Sequence, residues 1–365
     1  MDMKERLYNR ISELTSIIGV SGDEWDVAHY VHDALKPYVD DMKVLNNGTV
    51  IAIKKGSTPG QKKILTGHMD EVGYRVKRID NNGFAYFDAI GSPTTACLPG
   101  RRMLIKGRKG TVSGVVGVRA AHLLTEEQKK KAQTVTESYL DLCVSDKKEA
   151  EELGVYVGAS IVPESPCTRM PQNPDYVVTR AADCRVLLAV IIETMIDLKP
   201  EDIKGEVAAV FTILEESTVK AIATPVNYYQ PDYGMFLDTI PCGDVPDVDI
   251  NELPVGLGKG PVLIQSQTLA AAHLHNTSHP KLMEAVETIA QSECIQVQPV
   301  AFNGAGYSTD AVGAMLSGTG MVTVTLACPR RYSHSPVEIF NLNDVVMTQQ
   351  IVSAFAKLDV DLKMF

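Results

Sequence analysis

Two histidines and three carboxylates, His68, Asp183, Glu216, Asp238 and His334, form a mixed nitrogen and oxygen donor set of the kind that zinc, cobalt or manganese accepts. Four of the five share a placement at the ends of apolar runs. Residues 63–67 lead into His68, residues 207–214 into Glu215-Glu216, residues 235–237 into Asp238, and residues 321–327 through Pro329-Arg330-Arg331-Tyr332 to His334. A divalent cation held by such a set would make a bound water acidic and polarise a carbonyl.

Each residue taken singly has an ordinary explanation. A Glu-Glu pair is usually a solvated helix face, as Glu126-Glu127 and Glu151-Glu152 read. Glu215-Glu216 instead follows the run Val-Ala-Ala-Val-Phe-Thr-Ile-Leu, where two half-buried carboxylates are costly unless a cation or proton compensates them. His68 reads either as a satisfied histidine at a strand end or as a ligand whose ring Asp70 orients. Asp183, in Ala181-Ala182-Asp183-Cys184-Arg185, reads as the N-cap of the following helix, and a carboxylate there can also bridge two ions. Asp238 could open a turn before Thr239-Ile240-Pro241, and His334 could be a surface residue.

Other chemistries find less support. His29, His32, His122, His273, His275 and His279 read as structural or exposed. No GxGxxG, P-loop, GxSxG or HExxH stands in a suitable context. Seven cysteines without a CxxC pair speak against a disulfide framework and a thiolate zinc site, and fit a reducing compartment.

These residues need elements to position them. Residues 1–40 read as two helices divided by Gly19-Val20-Ser21-Gly22, with Ser21 and Glu24 as a capping box and Pro37 ending the second. Short β-like runs follow at 42–45, 50–53 and 62–66. From 74 to 162 the texture changes to closely spaced strands and turns, with one helix over 146–153 opened by Asp146 and Glu149 and closed by Gly154. Beyond a proline-punctuated connection at 163–174 the chain alternates helix 185–198, strand 207–214, strand 235–237, helix 280–292 and strand 321–327. That alternation predicts an α/β sheet with helices on its faces and active residues at the carboxyl ends of its strands.

Bulk properties set the bounds. The 365 residues exceed one usual core, so a large domain carrying a smaller one is expected. A net charge of -10 and a pI near 5.3 exclude nucleic acid and anionic membrane as main partners, because the long-range field repels both. The amphipathic N-terminus lacks a secretory apolar region, and the longest apolar stretch, 187–192 with Met195 and Ile196 beyond it, is too short to span a bilayer. A cytoplasmic protein is expected.

The segments Gly67-His68-Met69-Asp70-Glu71-Val72-Gly73, Ala182-Asp183-Cys184-Arg185, Glu215-Glu216 and Arg331-Tyr332-Ser333-His334-Ser335-Pro336 resemble the TET-type family of glutamyl and deblocking aminopeptidases. Residues 19–24, Leu98-Pro99-Gly100-Arg101, 147–158, Gly304-Ala305-Gly306 and Ser308-Thr309-Asp310 extend the likeness over nearly the whole chain. The resemblance implies a metal-dependent aminopeptidase for short peptides with a free N-terminus. It implies two divalent ions, zinc or cobalt with manganese as a third candidate. His68 and Asp238 would share one ion, Asp183 would bridge, Glu216 and His334 would complete the other, and Glu215 would be the base. It also implies an α/β catalytic domain with a central mixed sheet, formed by 1–72 and 164–365. An inserted β-barrel-like domain, 73–163, would serve dimer contacts and substrate access in a homo-oligomer that can reach a tetrahedral dodecamer. Cys184, Leu214 and Ser217-Thr218 depart from the family's usual Asp or Asn, Gln and Val-Gly. Two rival readings are a glycoside hydrolase, which needs only two carboxylates, and a scaffold that kept the fold without catalysis.

Overall fold

The computed structural model describes residues 1–270, 273–303 and 307–364. The strand Lys204–Thr212 shows why its run is continuously apolar: Val207, Ala209 and Phe211 enter one core, while Ala208 and Val210 enter another on the opposite face. Both faces of the sheet are therefore covered. On the first, the helices Met3–Ser16, Trp25–Leu35, Ala182–Asp197, Pro280–Ser292 and Leu342–Ala356 supply Leu7, Val31, Leu188, Val286 and Val352. On the second, Ala223–Tyr229 and Asp310–Ala314 supply Val226 and Ala311. Helix Ala182–Asp197 lies in the middle of the first layer with both its sides buried, which accounts for the apolar stretch at 187–192. Among the described residues no helix is long and apolar enough to cross a membrane.

Among the described residues the sheet has 12 strands, and its main path runs Asp41–Val44, Val50–Lys55, Lys204–Thr212, Thr58–His68, Tyr233–Pro241, Thr323–Arg331, Glu338–Asn341, Asn173–Thr179, Thr168–Met170. Its four central strands, from Lys204–Thr212 to Thr323–Arg331, are mutually parallel, and the flanking pairs are antiparallel. The sheet is thus mixed, and its parallel centre brings four carboxyl ends to one edge.

Between the strands Thr58–His68 and Asn173–Thr179, six strands from Gly73–Ile79 to Ser160–Pro163 close into a barrel around Tyr74, Val76, Phe87, Met103, Ile105, Leu140 and Ile161. Closure leaves no free strand edge to template aggregation. Beside it, helix Lys147–Glu152 starts where Asp146 accepts the Glu149 N–H at 2.9 Å. It stops before Gly154, whose φ of 98° is cheap for glycine.

Three local expectations are corrected. Ser21 and Glu24 make no capping box: the Ser21 N–H donates to the Glu71 carbonyl, so the carboxylate of Glu24 takes the N–H groups of Gly22 and Leu214 at 2.7 and 3.0 Å. A tertiary demand has overridden the local motif. The strand read at 321–327 is Thr323–Arg331, because Pro329 costs only one ladder bond and the pairing Ile240↔Pro329 continues past it. Asp238 opens no turn but sits inside the strand Tyr233–Pro241.

Candidate metal centre

His68 is the last residue of its strand and lies level with Thr212 on the neighbouring strand. Two residues beyond Thr212, Leu214 takes a left-handed φ of 58°, and the chain turns into the single helical turn Glu215–Thr218. Asp70 anchors that turn. Its two carboxylate oxygens accept the N–H groups of Glu215 and Glu216, both at 3.1 Å, while Oδ1 also lies 3.3 Å from His68 Nδ1. The residue expected to orient one ring therefore also fixes where both glutamates begin.

Asp183 is the hub of the cluster. Its Oδ1 lies 3.1 Å from His68 Nε2, and its Oδ2 lies 3.3 Å from His334 Nε2. Asp238 Oδ1 is 3.8 Å from His68 Nε2, and Glu216 Oε1 is 3.3 Å from His334 Nε2. One ligand atom each from His68, Asp183, Cys184 and Asp238 falls within a 4.8 Å group, and one each from Asp183, Glu216 and His334 falls within a second. Glu215 Oε2 stands 4.0 Å from His68 Nε2. The structure thus gathers all seven residues singled out from the sequence, Asp70 and Glu215 included. Asp183 does not cap its helix: the cap position is Ala181, no side chain caps it, and Asp183 and Cys184 are non-helical at the entry.

The donor chemistry fits cations. His68 Nδ1 lies 3.1 Å from the Asp70 carbonyl and His334 Nδ1 lies 3.1 Å from the Ser92 carbonyl. A carbonyl only accepts, so each Nδ1 must carry a proton, and Nε2, which faces the carboxylates, is the nitrogen left for a cation to take, the arrangement usual for ligating histidines. Glu215 Oε1 is buried with no hydrogen-bond partner, an orphaned acceptor that needs a water or a cation. Cys184 is less apt: its thiol is buried, donates to the Leu237 carbonyl at 3.4 Å, and burial pushes its pKa well up, away from thiolate.

Burial pushes the Glu215 carboxyl well above its usual range, and burial with nearby Asp183 lifts Asp238 to about 7. Burial also lifts Asp310 to about 7, although Thr212 donates to it. Asp183 goes the other way. Burial opposes its charge, but Arg330, His334 and His68 hold it well below the usual carboxylate range. For His334, burial is outweighed by Glu216 and Asp183, and its pKa rises to about 10.

A prediction follows for chelated protein. Asp238 and Asp310 bind protons more tightly folded than unfolded, so their contribution is full below the unfolded value near 3.8 and is lost as pH rises through about 7. His334, also raised, shifts in the same sense at higher pH, and depressed Asp183 matters only under strongly acid conditions. The melting temperature of chelated protein is expected to fall from pH 5 to pH 8 and to flatten when divalent cation is restored. A chelated melting temperature that rises over this range would contradict the assignment.

Four neighbours escaped the sequence reading. Arg330 donates through NH2 to Asp183 Oδ2, through NH1 to Glu338 Oε1 and through Nε to Thr239 Oγ1. Glu338 Oε1 also accepts the His334 N–H at 2.8 Å. Tyr307 donates its hydroxyl to the Thr239 carbonyl at 2.7 Å, and Asp310 is held against Thr212. The apolar context after Thr323 could have flagged Arg330 as buried; nothing in the sequence marks Glu338. A cleft of about 410 Å³, walled by Ser92, Lys220, Leu269, Tyr307 and Ser333, opens over the cluster. The other six histidines lie outside it, His279 capping helix Pro280–Ser292 and His275 bonded to Thr268 and Thr277. Gly304-Ala305-Gly306 lie outside the described residues.

Fold and site define a metal-dependent peptidase. The chain belongs to the M42 glutamyl aminopeptidase family, whose model matches residues 48–351. It is 30% identical over 332 residues to FrvX of Escherichia coli strain K12, a protein named as an aminopeptidase, with 89% of this chain and 88% of that one covered. Aminopeptidase APDkam598 from the archaeon Desulfurococcus kamchatkensis superposes with a TM-score of 0.91 at 28% identity, covering 98% and 96% of the two chains. The TET1 peptidase of Pyrococcus horikoshii, described as assembling into a tetrahedron or a large octahedral shell, superposes at 0.83 with 27% identity, covering 96% and 99%. The protein is therefore a metal-dependent aminopeptidase, a hydrolase of peptide bonds, as the resemblance implied.

Proposed function

We propose that this aminopeptidase removes the first residue of short peptides at a two-cation centre, with His68, Asp183 and Asp238 holding one ion and Asp183, Glu216 and His334 the other. The observation that carries this reading is Asp183, whose two oxygens face the two histidines separately. Zinc or cobalt suits the donors best, with manganese acceptable. Divalent cations bound there would acidify water and polarise the scissile carbonyl.

Glu215 takes the proton from the attacking water and returns it to the leaving amine. Its burial suits both halves of that task, since a carboxyl that holds a proton near neutrality can also donate it. Asp70 is a positioning residue. Asp70→Asn is expected to weaken cation affinity about 10- to 100-fold, because an amide loses the charge beside His68 and one acceptor for the 215–216 turn. Isothermal titration of the variant checks this, and unchanged affinity would remove Asp70 from the centre.

The segment 73–163 is proposed as a module for dimer contacts and substrate access. In support, its connection at Ser92 and Thr94 meets the backbone and ring of His334. By analogy with the P. horikoshii shells, the chain is proposed to form a homo-oligomer built from dimers, up to a tetrahedral dodecamer. Seven free cysteines suit a reducing, cytoplasmic setting.

The test is a panel of unblocked peptides, each paired with its N-acetylated form, assayed after chelation and after adding back zinc, cobalt or manganese. Stepwise trimming of free N-termini only, restored by cation, is expected. Equal cleavage of both forms, or full activity in chelator, would overturn the proposal.

A further inference from the structure

We propose that Arg330 makes the two cation positions unequal, leaving the His334 side the weaker, an inference that rests on the ligand assignment just given. Arg330 is the penultimate residue of strand Thr323–Arg331 and only 2% exposed, and all three of its guanidinium nitrogens are engaged. A strand holds it there: it pairs with Pro241 on one side and Phe340 on the other. The guanidinium is thus a fixed part of the site, aimed at one oxygen of one ligand.

That oxygen is Asp183 Oδ2, the one facing His334; Oδ1, facing His68, receives no arginine. A carboxylate oxygen has two lone-pair directions, so the arginine bond does not exclude a cation. It does take half of what Oδ2 offers, and it sets a permanent positive charge beside the place where a second one must arrive. Each position has one further carboxylate, Asp238 at the first and Glu216 at the second, so what separates them is the arginine on Oδ2, which Oδ1 lacks.

Glu338 tightens the arrangement. Its Oε1 accepts both from Arg330 NH1 at 2.5 Å and from the His334 N–H at 2.8 Å, so one carboxylate clamps the guanidinium and the backbone of the ligand it disfavours. Removing the charge of Glu338 would free the guanidinium to bear more fully on Asp183. Loading is therefore ordered: the His68 position fills first, and the His334 position fills only at higher free cation.

The test is a calorimetric titration of the chelated full-length protein with zinc and with cobalt, backed by elemental analysis of bound metal. Two binding steps separated at least about tenfold in Kd, or about 1.4 kcal/mol, are expected. His334→Ala should erase the weaker step and leave the stronger. Arg330→Met should narrow the gap, and Glu338→Gln should widen it. Two equal steps in the natural protein, or a gap that neither Arg330→Met nor Glu338→Gln changes, would overturn the inference. If Arg330→Met fails to fold by circular dichroism, the natural protein and Glu338→Gln decide alone. Absence of any bound cation in the natural protein would instead sink the ligand assignment itself.

Discussion

Glutamine at position 215 is expected to lower kcat on a free N-terminal peptide by about 10²–10⁴-fold, the range for losing a general base, while the bound cations stay. The substitution keeps the shape and removes only the ability to take a proton. Glu215 Oε1 has no hydrogen-bond partner, so few native bonds are forfeited, and the cost of burying a carboxylate disappears. The melting temperature should therefore hold or rise. Turnover and metal content measured on the same sample separate the roles: lost cation would make Glu215 a ligand, and unchanged turnover would leave it no part in proton transfer.

Asp183→Ala is expected to do the opposite, removing cation and activity together. Asp183 is the one carboxylate shared by both donor groups, so the alanine strips an oxygen from each. It also leaves the buried Arg330 with only Glu338 as a charged partner. Breaking a buried ion pair from one side costs about 3–5 kcal/mol. Elemental analysis should find less than one tightly held ion per chain, with turnover at background and a lower melting temperature. A variant that still held two ions tightly would exclude Asp183 as the bridge. Comparison with Glu215→Gln is informative because the two residues lie in one cluster yet predict opposite metal contents.

The legible part of this site was the part delivered by strands. A strand buried on both faces must be apolar throughout, so His68 and Glu215-Glu216 announced themselves at the ends of runs that nothing else explained. Asp183 was harder, because a carboxylate before a helix has a cheap local reading, and only tertiary contact with two histidines distant in the sequence separates the readings. Partition of the ligands between two ions came from family resemblance alone. Arg330 was hidden by its neighbours: Pro329-Arg330-Arg331 resembles a polar loop until pairing with Ile240 and Pro241 draws it into the sheet. Ser21 and Glu24 misled because their spacing matches a helix cap, while the structure uses Glu24 to hold Leu214 before the turn Glu215–Thr218. In each failure a long-range partner outbid a local pattern.

The contact between the inserted segment and His334 ties the rim of the cleft to the candidate metal centre. The Ser92 carbonyl accepts the Nδ1–H of the His334 ring, and the Thr94 N–H donates to the His334 carbonyl at 2.9 Å. The connection that carries Ser92 and Thr94 is in this respect a clamp, with one hydrogen bond on the His334 ring and one on its backbone. The cleft over the cluster is walled by Ser92 of the inserted segment as well as by Lys220 and Leu269, so any displacement of that segment reshapes the cleft and shifts the His334 ring together.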